Sequence, residues 1–293
     1  MTFDPFGDFD TAGYLQNSLQ LKDPVEVKES EHLSFELSIE EALAYLAKKK
    51  PIDYQTVLKV HEILFSGFYH WAGKDRNELV PHLAVFKGSL DDPRSTAFER
   101  PDSIKISVDY ALKLASDKKR FRDHPGGVMG QLAFAHPFLD GNGRAILLVF
   151  MELCYRAGFA IDWSRTNKDD YLRALSDEIR EPRERHLDNY LNPFVIDICS
   201  RDEWPETISG IRGLDGLDKE DITYENLDNP QVQQIYKTYR AQPPGRRASR
   251  ARKLKRQARP DKLPESPMTS AWPSAASNTS STPGTTSPAP GCP

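Results

Sequence analysis

The stretch HPFLDGNGRAILLVF, His136 to Phe150, decides how this chain is read. It sets a polar, glycine-broken cluster directly against an unbroken apolar run. Gly141 and Gly143 flank Asn142 where the backbone must turn sharply and bring bare amides close to something. The run from Ala145 onward then supplies a buried helix whose first turn contains that bend. Free N–H groups at a helix start, two glycines and Arg144 make an anion site. Asp140 beside it would repel a phosphate unless a divalent cation lay between them. Mg²⁺ takes one or two carboxylates plus phosphate oxygens, so the pattern points to a Mg-bound nucleotide. His136, four residues earlier, has the right ordinary pKa for a general base near neutral pH. Each piece alone is weak evidence, and His124-Pro125 in the same chain reads as a plain helix end. Their fixed order ahead of a buried helix carries the weight.

Working outward, helical patterns dominate. Ser38 is the expected N-cap of SIEEALAYLAKKK, with acidic residues in the first turn and lysines in the last. Asp53 opens DYQTVLKVHEILFSG, where Val57, Leu58, Val60, His61 and Leu64 recur at helical spacing. Residues 101–119, GGVMGQLAFA, GRAILLVFMELCYRAGF, NKDDYLRALSDEI and HLDNYLNPFVIDICS complete the helical set. The exception is NELVPHLAVFKGS, Asn77 to Ser89, whose short apolar pieces predict a β-hairpin over 79–88. Pro81 bars it from a central strand, so an exposed edge is expected. The fold class is therefore all-α with one small hairpin.

The chain has 293 residues and a formal net charge of -4 that is unevenly spread. Nine basic and two acidic residues lie from Arg246 onward, against 30 and 41 before it. After about residue 242 the sequence is first basic and then Pro/Ser/Thr-rich, a composition that predicts a disordered tail. Domains are expected at 1–49 (helical extension), 50–200 (the motif domain), 201–241 (a second helical extension) and 242–293 (tail). Three scattered cysteines argue against a disulfide framework or structural zinc and for a reducing compartment. No signal peptide is evident at the start, and no apolar run approaches membrane-spanning length. A soluble protein of the bacterial cytoplasm is expected, with export as an effector left open. Nucleic-acid binding by the basic tail competes with this reading, but only Trp272 is there to stack on bases.

HPFLDGNGR resembles the signature of Fic (Fido-fold) domains, HPFx(D/E)GNGRxxR. The resemblance extends to HEILFSGFYHWAGKDR, which is similar to the family's approach to its target-positioning flap, and to FKGS at the flap's end. It takes in AIDWSRTNKDDYLRAL and HLDNYLNPFV as the helices behind the motif. It implies a mainly helical Fic fold and a protein adenylyltransferase that moves AMP from ATP to a Ser, Thr or Tyr hydroxyl of a target protein. On that resemblance His136 is the base, Asp140 holds Mg²⁺, Gly141, Asn142 and Gly143 form the nest for the attacked phosphate, and Arg144 holds the outer phosphates. Val85, Phe86 and Lys87 on the flap would dock a target strand by strand addition. A role as the toxin of a toxin–antitoxin pair, with an inhibitory antitoxin in trans, is also implied. One position departs from the pattern: Leu147 stands where the second arginine belongs, which opens the donor to UMP, phosphate or phosphocholine. The family's inhibitory (S/T)xxxE(G/N) helix has no counterpart beyond Ser95 to Glu99, where Arg100 follows in place of Gly or Asn.

Overall fold

The computed structural model describes residues 3–92, 94–211, 213, 214 and 222–241. The expected tail of residues 242–293 lies outside them. The described helices are α1 (Phe9–Ala12), α2 (Pro24–Lys48), α3 (Tyr54–Phe65), α4 (Arg76–Leu79), α5 (Ile104–Ser116), α6 (Lys118–Asp123), α7 (Pro125–Ala135), α8 (Asn142–Ala157), α9 (Lys168–Arg180), α10 (His186–Leu191), α11 (Trp204–Ser209) and α12 (Pro230–Ala241). The strands are β1 (Leu83–Lys87), β2 (Thr96–Ala97), β3 (Ala160–Ile161), β4 (Val195–Ile196) and β5 (Ile222–Asn226). The mainly helical fold with a small flap is what the sequence predicts.

The run after the motif becomes α8, and its residues Ala145 to Phe150 are all buried. It packs against α2, α3, α5, α6 and α7, so the motif loop sits at the start of a largely buried helix. Asp53 caps α3 as expected: its carboxylate accepts the Thr56 N–H at 2.8 Å, and the Thr56 hydroxyl accepts the Asp53 N–H at 3.2 Å.

Several boundaries differ from the sequence reading. α2 begins at Pro24 under an Asp23 cap, and Ser38 lies inside it. Its buried stripe runs back through Phe35 to Val27, but Lys28 and Glu31 also lie on the buried side and break the apolar period. The 101–119 segment splits at Asp117, whose side chain caps α6. HLDNYLNPFVIDICS is helical only through α10 and a following 3₁₀ turn; Val195–Ile196 then forms β4, antiparallel to β3.

The flap differs most. Arg76–Leu79 forms one helical turn, and the strand starts at Leu83. β1 is not an exposed edge. It lies between β2 and β5, antiparallel to both, and Leu83, Ala84, Val85 and Phe86 are buried. The expected C-terminal helical extension therefore contributes a strand as well as helices.

Candidate active site

α7 ends at His136, whose backbone is left-handed (φ 41°, ψ 61°). A non-glycine residue holds that conformation at a cost of about 1 kcal/mol or more, so something must fix it. Arg76 does. Its guanidinium is fully buried and donates from Nε to the His136 carbonyl at 2.7 Å, and from Nη2 to the carbonyls of Glu99 (2.8 Å) and Ala135 (3.4 Å). Its backbone N–H donates to the Pro137 carbonyl at 2.8 Å. Burial lowers the Arg76 pKa to about 10, which leaves it cationic at neutral pH. The His136 ring lies flat on Phe98, with centroids 3.8 Å apart.

The loop after His136 is closed by Asn142. Its Oδ1 accepts the Phe138 N–H at 2.9 Å and its Nδ2 donates to the Phe138 carbonyl at 2.8 Å. The side chain thus shapes the nest from behind, and only its backbone stays at the helix start. Gly141 has φ +72°, and a Cβ there would stand 2.5 Å from the Phe65 ring. Glycine is required on both counts. Gly143 is exposed, with nothing within 4 Å of where a Cβ would stand. The first bond of the α8 start is Ala145 N–H to the Gly141 carbonyl, so the N–H groups of Asn142, Gly143 and Arg144 precede the helical ladder.

His61, on α3, underpins this loop. The Gly73 N–H donates to its Nδ1 at 3.0 Å, which leaves the proton on Nε2 to donate to the Asp140 carbonyl at 3.0 Å. Its ring stacks on Phe138 with centroids 3.7 Å apart. Burial pushes its pKa down to about 3, so it is a neutral structural histidine.

Asp140 and Arg144 are joined through α2 in a buried chain of alternating charge. Asp140 Oδ2 accepts from Lys28 Nζ at 2.7 Å and from the Tyr14 hydroxyl at 3.2 Å, and its Oδ1 accepts the Gly141 N–H at 2.8 Å. Lys28 Nζ also donates to Glu31 Oε2 at 3.0 Å, which accepts Arg144 Nη2 at 2.7 Å. Glu31 Oε1 accepts the Tyr69 hydroxyl at 3.1 Å. None of the four charged residues is more than 8% exposed. Burial pulls the Lys28 and Arg144 pKa values down, but the Asp140 and Glu31 carboxylates outweigh it and hold both above their usual values. Arg144 lies 4.8 Å from the Phe65 ring centroid, and its Nη1 is buried without a hydrogen-bond partner.

These contacts bear on the expected metal. A single carboxylate would suffice for Mg²⁺ with nucleotide oxygens. Here both Asp140 oxygens already accept hydrogen bonds, and an ammonium stands in contact with one of them. Mg²⁺ does not fit at Asp140 with Lys28 in this place.

A cavity of about 980 Å³ opens in front of the motif. Its wall includes Lys28, Lys87, His136, Gly143 and Arg144. Leu147 lies on the same wall and is 5% exposed, so it is both packed and cavity-facing. Lys87 donates to the Ser176 hydroxyl at 2.9 Å, and burial beside Arg180 lowers its pKa to about 8. Of the other flap residues, Val85 faces this side and Phe86 packs on Val232 and Tyr236 of the opposite side. Sequence reasoning missed Lys28, Glu31, Arg76 and the role of His61. Arg76 and His61 do stand inside HEILFSGFYHWAGKDR, so the signal for them was present.

Residues 51–154 match the model of the Fic/DOC family. Among curated proteins the chain is 29% identical over 177 residues to a protein adenylyltransferase, VbhT, of Bartonella schoenbuchensis, covering 58% of this chain and 35% of that protein. It is 26% identical over 165 residues to a probable protein adenylyltransferase, y4lH, of Sinorhizobium fredii, covering 55% of this chain and 81% of that one. The chain thus spans about a third of the length of VbhT. Among solved structures it is similar to the BepC effector of Bartonella tribocorum with bound AMPPNP, at a TM-score of 0.51 and 21% identity over 62% of this chain and 92% of that one. A Fic domain from Bartonella quintana with bound ADP gives a TM-score of 0.50 at 19% identity, over 62% of this chain and 90% of that one. These two likenesses concern the fold.

Proposed function

Since the chain belongs to the Fic/DOC family through residues 51–154, we propose that it transfers AMP from ATP to a Ser, Thr or Tyr hydroxyl of another protein. The observation that carries this reading is the cavity wall that sets His136 beside a glycine-opened helix start and the unpartnered Nη1 of Arg144. His136 takes the proton of the acceptor hydroxyl. The oxygen attacks the α-phosphorus, and the bond to the departing pyrophosphate breaks. The N–H groups at the α8 start, with Gly143 open in front of them, receive the phosphate oxygens. Arg144 offers its remaining N–H to the phosphates. The adenylyltransferase names of VbhT and y4lH favour AMP over UMP, phosphate or phosphocholine as the transferred group. Lys28, rather than a metal ion, is the cationic partner of Asp140. Among the described residues no helix is long and apolar enough to cross a membrane.

Incubation of a cell lysate with the protein and either α-labelled or γ-labelled ATP tests this. Label enters protein from the α position only, and His136→Ala abolishes it. Label arriving from the γ position would assign phosphate transfer instead.

A further inference from the structure

β5 pairs with β1 along its whole length, in the register Leu83↔Asn226, Ala84↔Glu225, Val85↔Tyr224, Phe86↔Thr223 and Lys87↔Ile222. It is held there by α12, whose Val232 and Tyr236 pack on Ala84, Phe86 and Ala97, and by the Tyr236 hydroxyl, which donates to the Phe98 carbonyl at 2.8 Å. The edge at which a target strand would add to the flap is thus taken by a strand of the same chain.

Alternation along the strands sorts the side chains of β5. Thr223 faces the α12 side with Phe86, and its hydroxyl donates to the Gly88 carbonyl at 2.6 Å. Tyr224 shares the other face with Val85, but its ring packs on Phe3 and its hydroxyl donates to the Asp4 carbonyl at 3.3 Å. The residue of β5 that lines the cavity is Ile222, opposite Lys87. Ile222 packs on the cluster of Val85, Phe98, Phe134 and Ile179, and Phe98 is the ring on which His136 stacks. The two hydroxyls of β5 are bonded elsewhere, and the side chain turned toward the catalytic histidine has none.

We infer that Ile222–Asn226 is an internal stand-in for the target strand, and that an acceptor protein adds an extended segment antiparallel to β1, with its hydroxyl-bearing residue opposite Lys87, by displacing β5. This rests on the transferase reading above. Strand addition at the flap is what the family resemblance implies; the inference here is that β5 holds that edge in the resting chain, with Ile222, which has no hydroxyl, at the position opposite Lys87.

The test is to place a hydroxyl where Ile222 stands. In the full chain Ile222→Ser is incubated with ATP, and the protein is digested and weighed. The introduced oxygen bonds to the α-phosphorus, its proton passes to His136, and pyrophosphate leaves. We expect one AMP on the peptide carrying position 222, absent from wild type and lost when His136→Ala is added. AMP in the variant at other positions only overturns the inference and leaves the transferase reading standing. AMP nowhere, in lysate or in the variant, counts against the transferase reading, and the strand assignment is then judged without chemistry. Directly opposed strand residues lie within disulfide reach, so Lys87→Cys/Ile222→Cys can lock β5 in place. A fluorescein-labelled peptide of residues 221–229 should bind the reduced form about tenfold or more tightly than the oxidised form, since the lock denies it the edge. Equal binding to both forms overturns the inference.

Discussion

Lys28→Met tests the charge chain that ties α2 to the motif. The substitution keeps a long unbranched side chain but removes the ammonium that touches both Asp140 and Glu31. Removing one partner of a buried ion pair costs about 3–5 kcal/mol, because the remaining charge is left uncompensated. Here Glu31 keeps Arg144 and the Tyr69 hydroxyl, and Asp140 keeps Tyr14 and the Gly141 N–H. The lower end, about 3 kcal/mol, is therefore expected. For a domain of this size it corresponds to a fall in Tm of about 6–12 °C. Adding Glu31→Gln takes away the carboxylate partner of Arg144 as well, and should deepen the loss. Loss of Lys28 also frees Asp140 for a cation. Mg²⁺ at about ten times its dissociation constant would then return roughly 1.4 kcal/mol, or about 3–6 °C. Differential scanning fluorimetry on the three proteins, with and without MgCl₂, reads all of this. A variant melting within about 2 °C of wild type would falsify the closed charge chain. A Mg²⁺-induced rise as large in wild type as in the variant would show that Lys28 does not keep the cation out.

Two further changes probe other supports of the site. Arg76→Met leaves the carbonyls of His136, Glu99 and Ala135 without their donor, at about 1–3 kcal/mol each before relief of the buried charge, so a net loss of about 3 kcal/mol is expected. Transfer per folded molecule should fall as well, and an unchanged rate at a temperature where the variant is folded would remove Arg76 from the positioning of His136. Glu178, buried against Gly130, has its pKa raised by burial to about 7 from 4.5. The folded state then holds the proton longer than the unfolded state, so its contribution is full below about pH 4.5 and declines as pH rises through 7. Against Glu178→Gln, which still accepts the Leu187 N–H, wild type should lose at most about 3 kcal/mol between pH 5 and 8. A Tm difference that stays flat with pH would contradict it.

What the sequence disclosed was what is local. The motif, its turn and the helix behind it lie within 22 residues, 136–157, and their chemistry follows from residue type and spacing. The capping box at Asp53 and the periodicity of α3 are equally local. Lys28 and Asp140 meet across 112 positions, and no periodicity announces such a pair. In α2 the effect was worse than silence, because two buried charges interrupt the stripe by which the helix would be recognised. β5 is hidden for a related reason. ITYEN is rich in β-branched and aromatic residues, but strand formation depends on which edge is offered, and that edge lies 135 residues earlier in the chain, from Thr223 to Gly88.

The two segments that read as peripheral extensions are the ones that close over the site. Residues 51–154 supply the histidine, the nest and the flap. Lys28 and Glu31 come from before that stretch, and β5 and α12 from beyond it. Under the proposed function, a domain that receives a polyanion and a foreign strand would expose unmatched charge at one place and unpaired backbone at another. Both are costly to leave next to a packed core. The N-terminal segment neutralises the first by alternating its own charges with Asp140 and Arg144. The C-terminal segment pairs the second. On the proposed function, the pairing of β5 with β1, which stabilises the resting protein, must then open for the target strand to enter.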